Sequence, residues 1–345
     1  MPYYHWLIYL VAFLAAFSVA LMSTPWAKAI SVKLNAIDHP RKRGLNENPI
    51  PRLGGLAIVA AFMAAMIILL PFIEDFRTVQ FAGFIAGAFI IVVLGIVDDV
   101  KDVNAKIKLA VQIIAALIVV FTGTRIEVIM WPWFEYAEIL ETFSVPFTVV
   151  WIIGITNAVN LIDGVDGLAA GVSSICAFFL MVLCIMTGSP MAVVFTAALA
   201  GSCMGFLPRN FNPAEVYMGD TGATFLGYVL ATSSIIGVFK SYTLLAVLIG
   251  VLAIGLPVLD TAYALLRRIY KKVPIMTADR GHLHHRLIDR GYSQKQAVII
   301  LYTLSIIMGA MALLISMQHL ITTVLALVVL FVMGLMAYVY RKRVK

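Results

Sequence analysis

The residues best suited to chemistry stand in a few short runs, and the most informative reads NAVNLIDGVDGLAAG, residues 157–171. It sets Asn157, Asn160, Asp163 and Asp166 three apart between strongly apolar flanks. Spacing of three on a helix keeps side chains near one face. The two Asp-Gly pairs are turn signals that end a helix. The expected arrangement is an amide pair, Asn157 and Asn160, at a helix end, with Asp163 and Asp166 on the tight turn that follows. Four polar groups exceed what capping an interhelical turn requires.

Three other runs share this character. DDVKD, residues 98–102, places Asp98 and Asp99 side by side after an apolar stretch. Adjacent carboxylates repel unless a cation neutralises them or one takes up a proton. A divalent metal would do this, as would Lys101, Lys106 or Lys108; a solvated helix end is the plainer reading. VYMGDTGATFLG, residues 216–227, sets Asp220 between Gly219 and Gly222. An Asp there suits a helix N-cap. The glycines also let backbone approach a ligand closely, and a helix start favours phosphate. TADRGHLHHRLIDRGYS, residues 277–293, gathers His282, His284 and His285 beside Arg280 and Arg286. Histidines can hold a transition metal. With no Cys beside them and two Arg at hand, reading an anion is favoured. Two further features stand alone. The basic loop 38–55 carries Arg52 before Gly54-Gly55. It faces either anionic headgroups or the same cleft. Asp260 is an acid inside an apolar segment, and Arg267 and Arg268 lie about two helical turns further on. Its expected partner is therefore on another helix.

The elements that must position these residues are membrane helices. The chain has 345 residues, 62% hydrophobic and 12% charged, with mean hydropathy +0.99. A soluble domain would carry roughly 25% charge. Apolar runs long enough to cross a bilayer recur along the chain. The expected fold is an all-α, polytopic integral membrane protein forming one domain over residues 1–345. Eleven spans are read, near 5–27, 53–72, 79–97, 107–122, 147–159, 168–187, 190–207, 219–238, 242–266, 295–316 and 320–340. With the N-terminus outside, alternating loops put 22 of the 25 Lys and Arg on one side, C-terminus included. Basic loops face the cytoplasm. Every polar run above falls on that side. Cys176, Cys184 and Cys203 sit in apolar runs without disulfide or zinc spacing. The basic residues flank membrane spans, and nothing points to nucleic acid.

Carboxylates, amides, a lysine and a His/Arg loop thus converge on one membrane face. Oxygen ligands suit magnesium bridging a phosphate, and Lys, His and Arg suit a diphosphate. The inferred chemistry is metal-dependent phosphoryl transfer between a soluble and a lipid substrate.

The four runs, in this order, resemble the polyprenyl-phosphate N-acetylhexosamine-1-phosphate transferase family. The likeness covers about residues 5–340. HLHH resembles the form seen in the UDP-GlcNAc-using bacterial branch, whereas the muramoyl-pentapeptide branch has three consecutive His. The resemblance implies transfer of GlcNAc-1-phosphate from UDP-GlcNAc to undecaprenyl phosphate, releasing UMP. It would be the first membrane step of an envelope glycan of teichoic acid or O-antigen type. It implies a bacterial inner-membrane location, a cytoplasm-facing site, Mg2+ as cofactor with Mn2+ as a substitute, and a possible homodimer among membrane lipids. Residue by residue, Asp220 and Asn160 would hold the metal. Asp98 or Asp99 would engage the lipid phosphate as base or positioning group, and Lys108 would contact phosphate. Asp163 and Asp166 would line the nucleotide pocket beside Asn157, and Tyr217 would stack on uracil. Arg280, His282, His284 and His285 would hold the diphosphate, with Arg52 nearby. Direct attack by the lipid phosphate is preferred to a phospho-Asp intermediate. Three readings compete: another UDP-N-acetylhexosamine, a proton-coupled transporter that uses Asp260, and an intramembrane prenyltransferase. No internal repeat supports either of the last two.

Overall fold

The computed structural model describes residues 4–39, 49–126, 141–238, 244–270 and 282–317. Arg280 and the eleventh expected span, 320–340, lie outside them. The described chain is almost entirely helical: α1 (Tyr4–Lys33), α2 (Gly55–Leu69), α3 (Val79–Lys101), α4 (Ala105–Phe121), α5 (Glu141–Ile162), α6 (Leu168–Met186), α7 (Pro190–Asn210), α8 (Gly219–Gly237), α9 (Leu244–Ala253), α10 (Gly255–Tyr270), α11 (Leu283–Ile288) and α12 (Gln294–Ser316). Among the described residues, six helices are long and apolar enough to cross a membrane: α1, α3, α5, α6, α7 and α12. The protein is therefore an all-α membrane protein.

Helices α7 and α8 form its centre. Gly201 and Gly205 of α7 lie so close to the Phe13 and Phe17 carbonyls of α1 that no side chain fits between them. Phe62, Phe84, Phe195 and Phe225 fill the space among α2, α3, α7 and α8. The Tyr228 hydroxyl of α8, buried in the same layer, donates to the Phe84 carbonyl at 2.8 Å. The outer helix α1 instead turns Trp6, Leu10, Met22 and Trp26 outward. That is the surface a lipid environment requires.

Two expected spans differ in form. The fifth is longer than 147–159, because α5 also takes in the preceding polar ETFSVP turn. The ninth, expected as one helix over 242–266, is two helices that meet at Ile254. The cause is local. Pro257 has no N–H for the Ala253 carbonyl, so it is tolerated only in the first turn of a new helix. A short antiparallel pair, β1 (Ile37–Asp38) and β2 (Ile50–Pro51), straps the chain ahead of α2.

Candidate active site

The helix ends that carry DDVKD, Lys108 and Asp220 meet at one point. Helix α3 ends at Lys101 and α4 starts at Ala105, so Asp98 and Lys108 face each other across a tight connection. Lys108 Nζ forms an ion pair with Asp98 Oδ2 and donates to Asp220 Oδ2 at 2.9 Å. Asp98 Oδ1 accepts from the Val103 N–H at 2.7 Å. One ammonium thus holds two carboxylates from different helices.

Asp99 points the other way, into the start of α8. Its carboxylate accepts from Asp220 N–H at 2.9 Å, Thr221 N–H at 2.9 Å, Thr221 Oγ1 at 2.6 Å and Arg52 Nε at 3.2 Å. A helix leaves its first N–H groups without intrahelical partners, and Asp99 supplies them from another helix. Asp220 is therefore not the N-cap its position allowed: no side chain of its own helix caps α8. The backbone is equally close here. Gly219 adopts φ +66° and lies against the Arg52 carbonyl and the Asp99 carboxylate. Arg52 arrives on a strap laid against the same segment, with Gly54 N–H and Gly55 N–H donating to the Tyr217 and Met218 carbonyls at 2.8 and 2.9 Å.

Exposure separates the parts. The side chains of Asp98 and Asp99 are 3% and 0% exposed, against 23% for Asp220, 29% for Lys108 and 20% for Arg52. Asp220, Lys108 and Arg52 are therefore the accessible members of the group, and the buried aspartate pair bonds to them.

The 157–171 stretch takes the expected form. Helix α5 ends at Ile162, residues 163–167 turn, and Gly167 at φ +77° leads into α6. Thr156 of α5 touches Gly227 of α8. Asn160 lies about 6 Å along α5 from that contact, and Asp220 about 10 Å along α8. Both lie toward the helix ends that border the site. Asn157 does not reach the turn. Its Nδ2 donates to Gln112 Oε1 of α4 at 2.7 Å and to the Ile153 carbonyl at 2.8 Å. Gln112 is one turn beyond Lys108, so this amide pair sets the register of α4 on α5. Asp166 is buried and accepts from Asn212 Nδ2 at 2.9 Å and Ala214 N–H at 3.0 Å. The Tyr217 side chain bonds to it as well, and burial together with that carboxylate raises the Tyr217 phenol well above its usual range. Asp166 and Tyr217 thus brace each other. Asp163 is half-buried. Burial, then the Asp220, Asp99 and Asp166 carboxylates, push its carboxyl up to about 8, with Arg52 opposing.

The histidines border this turn. His284 is buried, its Nε2 packs against Gly164, and its imidazole is held down to about 3 by burial and then by His285. The His282 and His284 rings lie parallel at 5.9 Å, and the His284 and His285 rings are tilted by 47° at 4.3 Å. Asp260 finds its partner on this loop rather than on Arg267 or Arg268: Oδ2 lies 2.9 Å from His282 Nδ1. Thr221, Gln112 and Asn212 were not singled out in sequence. Gln112 alone left a signal, as a polar residue four places after Lys108 in an apolar helix.

Among the described residues, no three His, Cys, Asp or Glu side chains form a metal cluster by themselves. The donors present nonetheless fit magnesium. Asp220 offers an accessible carboxylate beside the Lys108 ammonium, and the end of α5 that carries Asn160 borders the same site. Magnesium commonly takes one or two carboxylates and completes its shell with water and substrate phosphate.

The family described as glycosyl transferase family 4 matches residues 81–238. The chain is 37% identical over 323 residues to a probable undecaprenyl-phosphate N-acetylglucosaminyl 1-phosphate transferase of Bacillus subtilis, covering 94% of this chain and 88% of that protein. It is 33% identical to the decaprenyl-phosphate N-acetylglucosaminephosphotransferase of Mycolicibacterium smegmatis, covering 84% and 77%. It is 30% identical to the phospho-N-acetylmuramoyl-pentapeptide-transferase of Caldanaerobacter subterraneus, covering 86% and 95%. By motif, fold and likeness along most of its length, the chain belongs to glycosyl transferase family 4, the polyprenyl-phosphate N-acetylhexosamine-1-phosphate transferases.

Proposed function

We propose that this protein transfers N-acetylglucosamine 1-phosphate from UDP-GlcNAc to undecaprenyl phosphate at the cytoplasmic face of a bacterial inner membrane. The products are undecaprenyl-diphospho-GlcNAc and UMP, and the step would begin an envelope glycan. The observation that carries this reading is Lys108, held between buried Asp98 and accessible Asp220 where α3, α4 and α8 end. A phosphate monoester and a diphosphate must approach each other against strong mutual repulsion. A fixed ammonium, the Arg52 guanidinium and a metal-binding carboxylate on one rim offset it.

Asp220 and Asn160 would hold Mg2+, or Mn2+ in its place. Bound there, the metal would supply charge neutralisation for the diphosphate. Lys108 and Arg52 bind and orient the phosphates. The lipid phosphate is already largely dianionic at neutral pH (second pKa about 6). It needs placement more than deprotonation. Its oxygen attacks the β-phosphorus as the bond to UMP breaks. Asp98 acts on that oxygen through Lys108, and its enclosure between Lys108 and Val103 N–H argues against a phospho-Asp intermediate. Asp163 lines the nucleotide side, and Asp166 and Tyr217 keep the wall of that pocket in shape. Following the family resemblance, Arg280, His282, His284 and His285 would hold the diphosphate.

UMP release by purified protein with magnesium, undecaprenyl phosphate and UDP-GlcNAc tests this, with Asp220→Ala beside it. UMP and lipid-linked GlcNAc from wild type only is the expected result. Turnover with a different UDP-hexosamine would keep the chemistry and replace the sugar. No turnover with any sugar nucleotide in folded protein would overturn the proposal.

A further inference from the structure

Asp260 is a buried acid of α10 with no part in the chemistry above, and its surroundings are specific. It is 2% exposed on α10, and both carboxylate oxygens are used. Oδ2 lies 2.9 Å from His282 Nδ1, and Oδ1 accepts the Leu283 N–H at 2.9 Å. His282 is itself buried. A second contact joins the same elements, with the Arg286 guanidinium over the Tyr263 ring at 5.4 Å. On its other side the His loop rests on the 163–167 turn, where His284 meets Gly164. The loop is therefore clamped between α10 and the turn that carries Asp163.

A neutral acceptor would fasten this loop at lower desolvation cost than a buried carboxylate. A carboxylate on Nδ1 does more than fasten. It fixes the proton on Nδ1, commits Nε2 to the ligand, and stabilises the imidazolium that forms against an anion. We propose that Asp260 is a positioning residue that orients His282 and presents its Nε2 to a phosphate oxygen of the sugar nucleotide. This rests on the transferase reading. The protonated ring then bridges two anions, Asp260 through Nδ1–H and the phosphate through Nε2–H. No covalent bond to the ring forms or breaks. Because α10 starts at the Ile254 break, the break also lets this segment turn Asp260 toward the loop while Leu259 and Leu266 stay on the exposed face.

Three variants test the proposal in the transferase assay: His282→Asn, Asp260→Asn and the double variant. Asparagine at 282 places an amide N–H near the Nδ1 position and nothing at Nε2. His282→Asn should therefore keep the wild-type melting temperature. It should lose at least about 100-fold in kcat/KM for UDP-GlcNAc, with the KM for undecaprenyl phosphate unchanged. Asp260→Asn should lose about 10- to 100-fold, and the double variant no more than His282→Asn alone. Wild-type turnover by folded His282→Asn would overturn the inference. So would a double variant whose loss is the product of the single losses. Should Asp260→Asn not fold, His282→Asn still decides. A wild type inactive toward every UDP-hexosamine would instead sink the transferase reading, so the two failures are distinguishable.

Discussion

Two adjacent aspartates do different work because a helix turns about 100° per residue. Asp98 faces Lys108 on α4, while Asp99 faces the start of α8 and collects four donors. Asp99→Asn leaves one oxygen for those donors and turns an NH2 toward some of them. It should lower stability by about 2 kcal/mol and reduce kcat, leaving the shape of the pH–rate profile unchanged. Thr221→Val should reproduce part of the loss and be non-additive with it. Asp98→Asn leaves Lys108 paired with Asp220, so stability should stay near wild type while kcat falls about 100-fold. Thermal unfolding in detergent alongside turnover checks both, and equal stability losses would show that the two carboxylates are not so divided. The Asp-Asp pair was legible in sequence, but this division was not. It depends on which neighbour each residue faces, and Thr221 carries no motif.

Asp163 adds a pH dependence at the same scale. Its carboxyl, ordinarily near 3.8, is pushed to about 8 in the folded protein. The folded state then binds more protons than the unfolded state between those values. Stability from this group is full below about pH 4 and is lost as pH rises toward 8. Asp163→Asn imitates the protonated form and should remove that dependence. Melting temperatures from pH 5 to 8, without divalent cation, should fall more steeply for wild type than for the variant. Parallel curves would mean that Asp163 is charged throughout.

At the scale of elements, the turn between α5 and α6 is built to be rigid. Asp166 ties it to the Asn212–Ala214 segment, and the Tyr302 hydroxyl of α12 donates to the Gly167 carbonyl at 2.6 Å. Gly167 is left-handed at φ +77°, and a Cβ there would lie 2.9 Å from the Phe211 ring. Gly167→Ala should cost about 1–2 kcal/mol from the backbone alone. It should also raise the KM for UDP-GlcNAc without altering that for the lipid. An unchanged sugar-nucleotide KM would show that the turn tolerates movement. The Asp-Gly pairs announced this turn, because their local chemistry requires one. The α9–α10 break was missed although Gly255 and Pro257 stand at it. An unbroken apolar run outweighs a punctuation signal when only hydropathy is counted. The partner of Asp260 was also hidden, since 22 residues of chain separate it from His282.

At the scale of the whole molecule, orientation decides whether the site meets cytoplasmic nucleotide. Helix α3 has 23 residues, about 34 Å at 1.5 Å each, enough to cross a hydrocarbon core of about 30 Å. The candidate site is at its C-terminal end. Exposed residues bracket it, with Arg77 before α3 and Lys106 after it. The excess of basic residues on the Lys106 side predicts that this side is cytoplasmic. The three native cysteines, 0–2% exposed, should give little background. A membrane-impermeant maleimide should therefore label Lys106→Cys only in inverted vesicles and Arg77→Cys only in intact spheroplasts. The reverse pattern would turn the site outward, away from any UDP-sugar. Because one span separates the two probes, the result fixes the side on which Asp98, Lys108 and Asp220 meet their substrate, whatever the total number of spans.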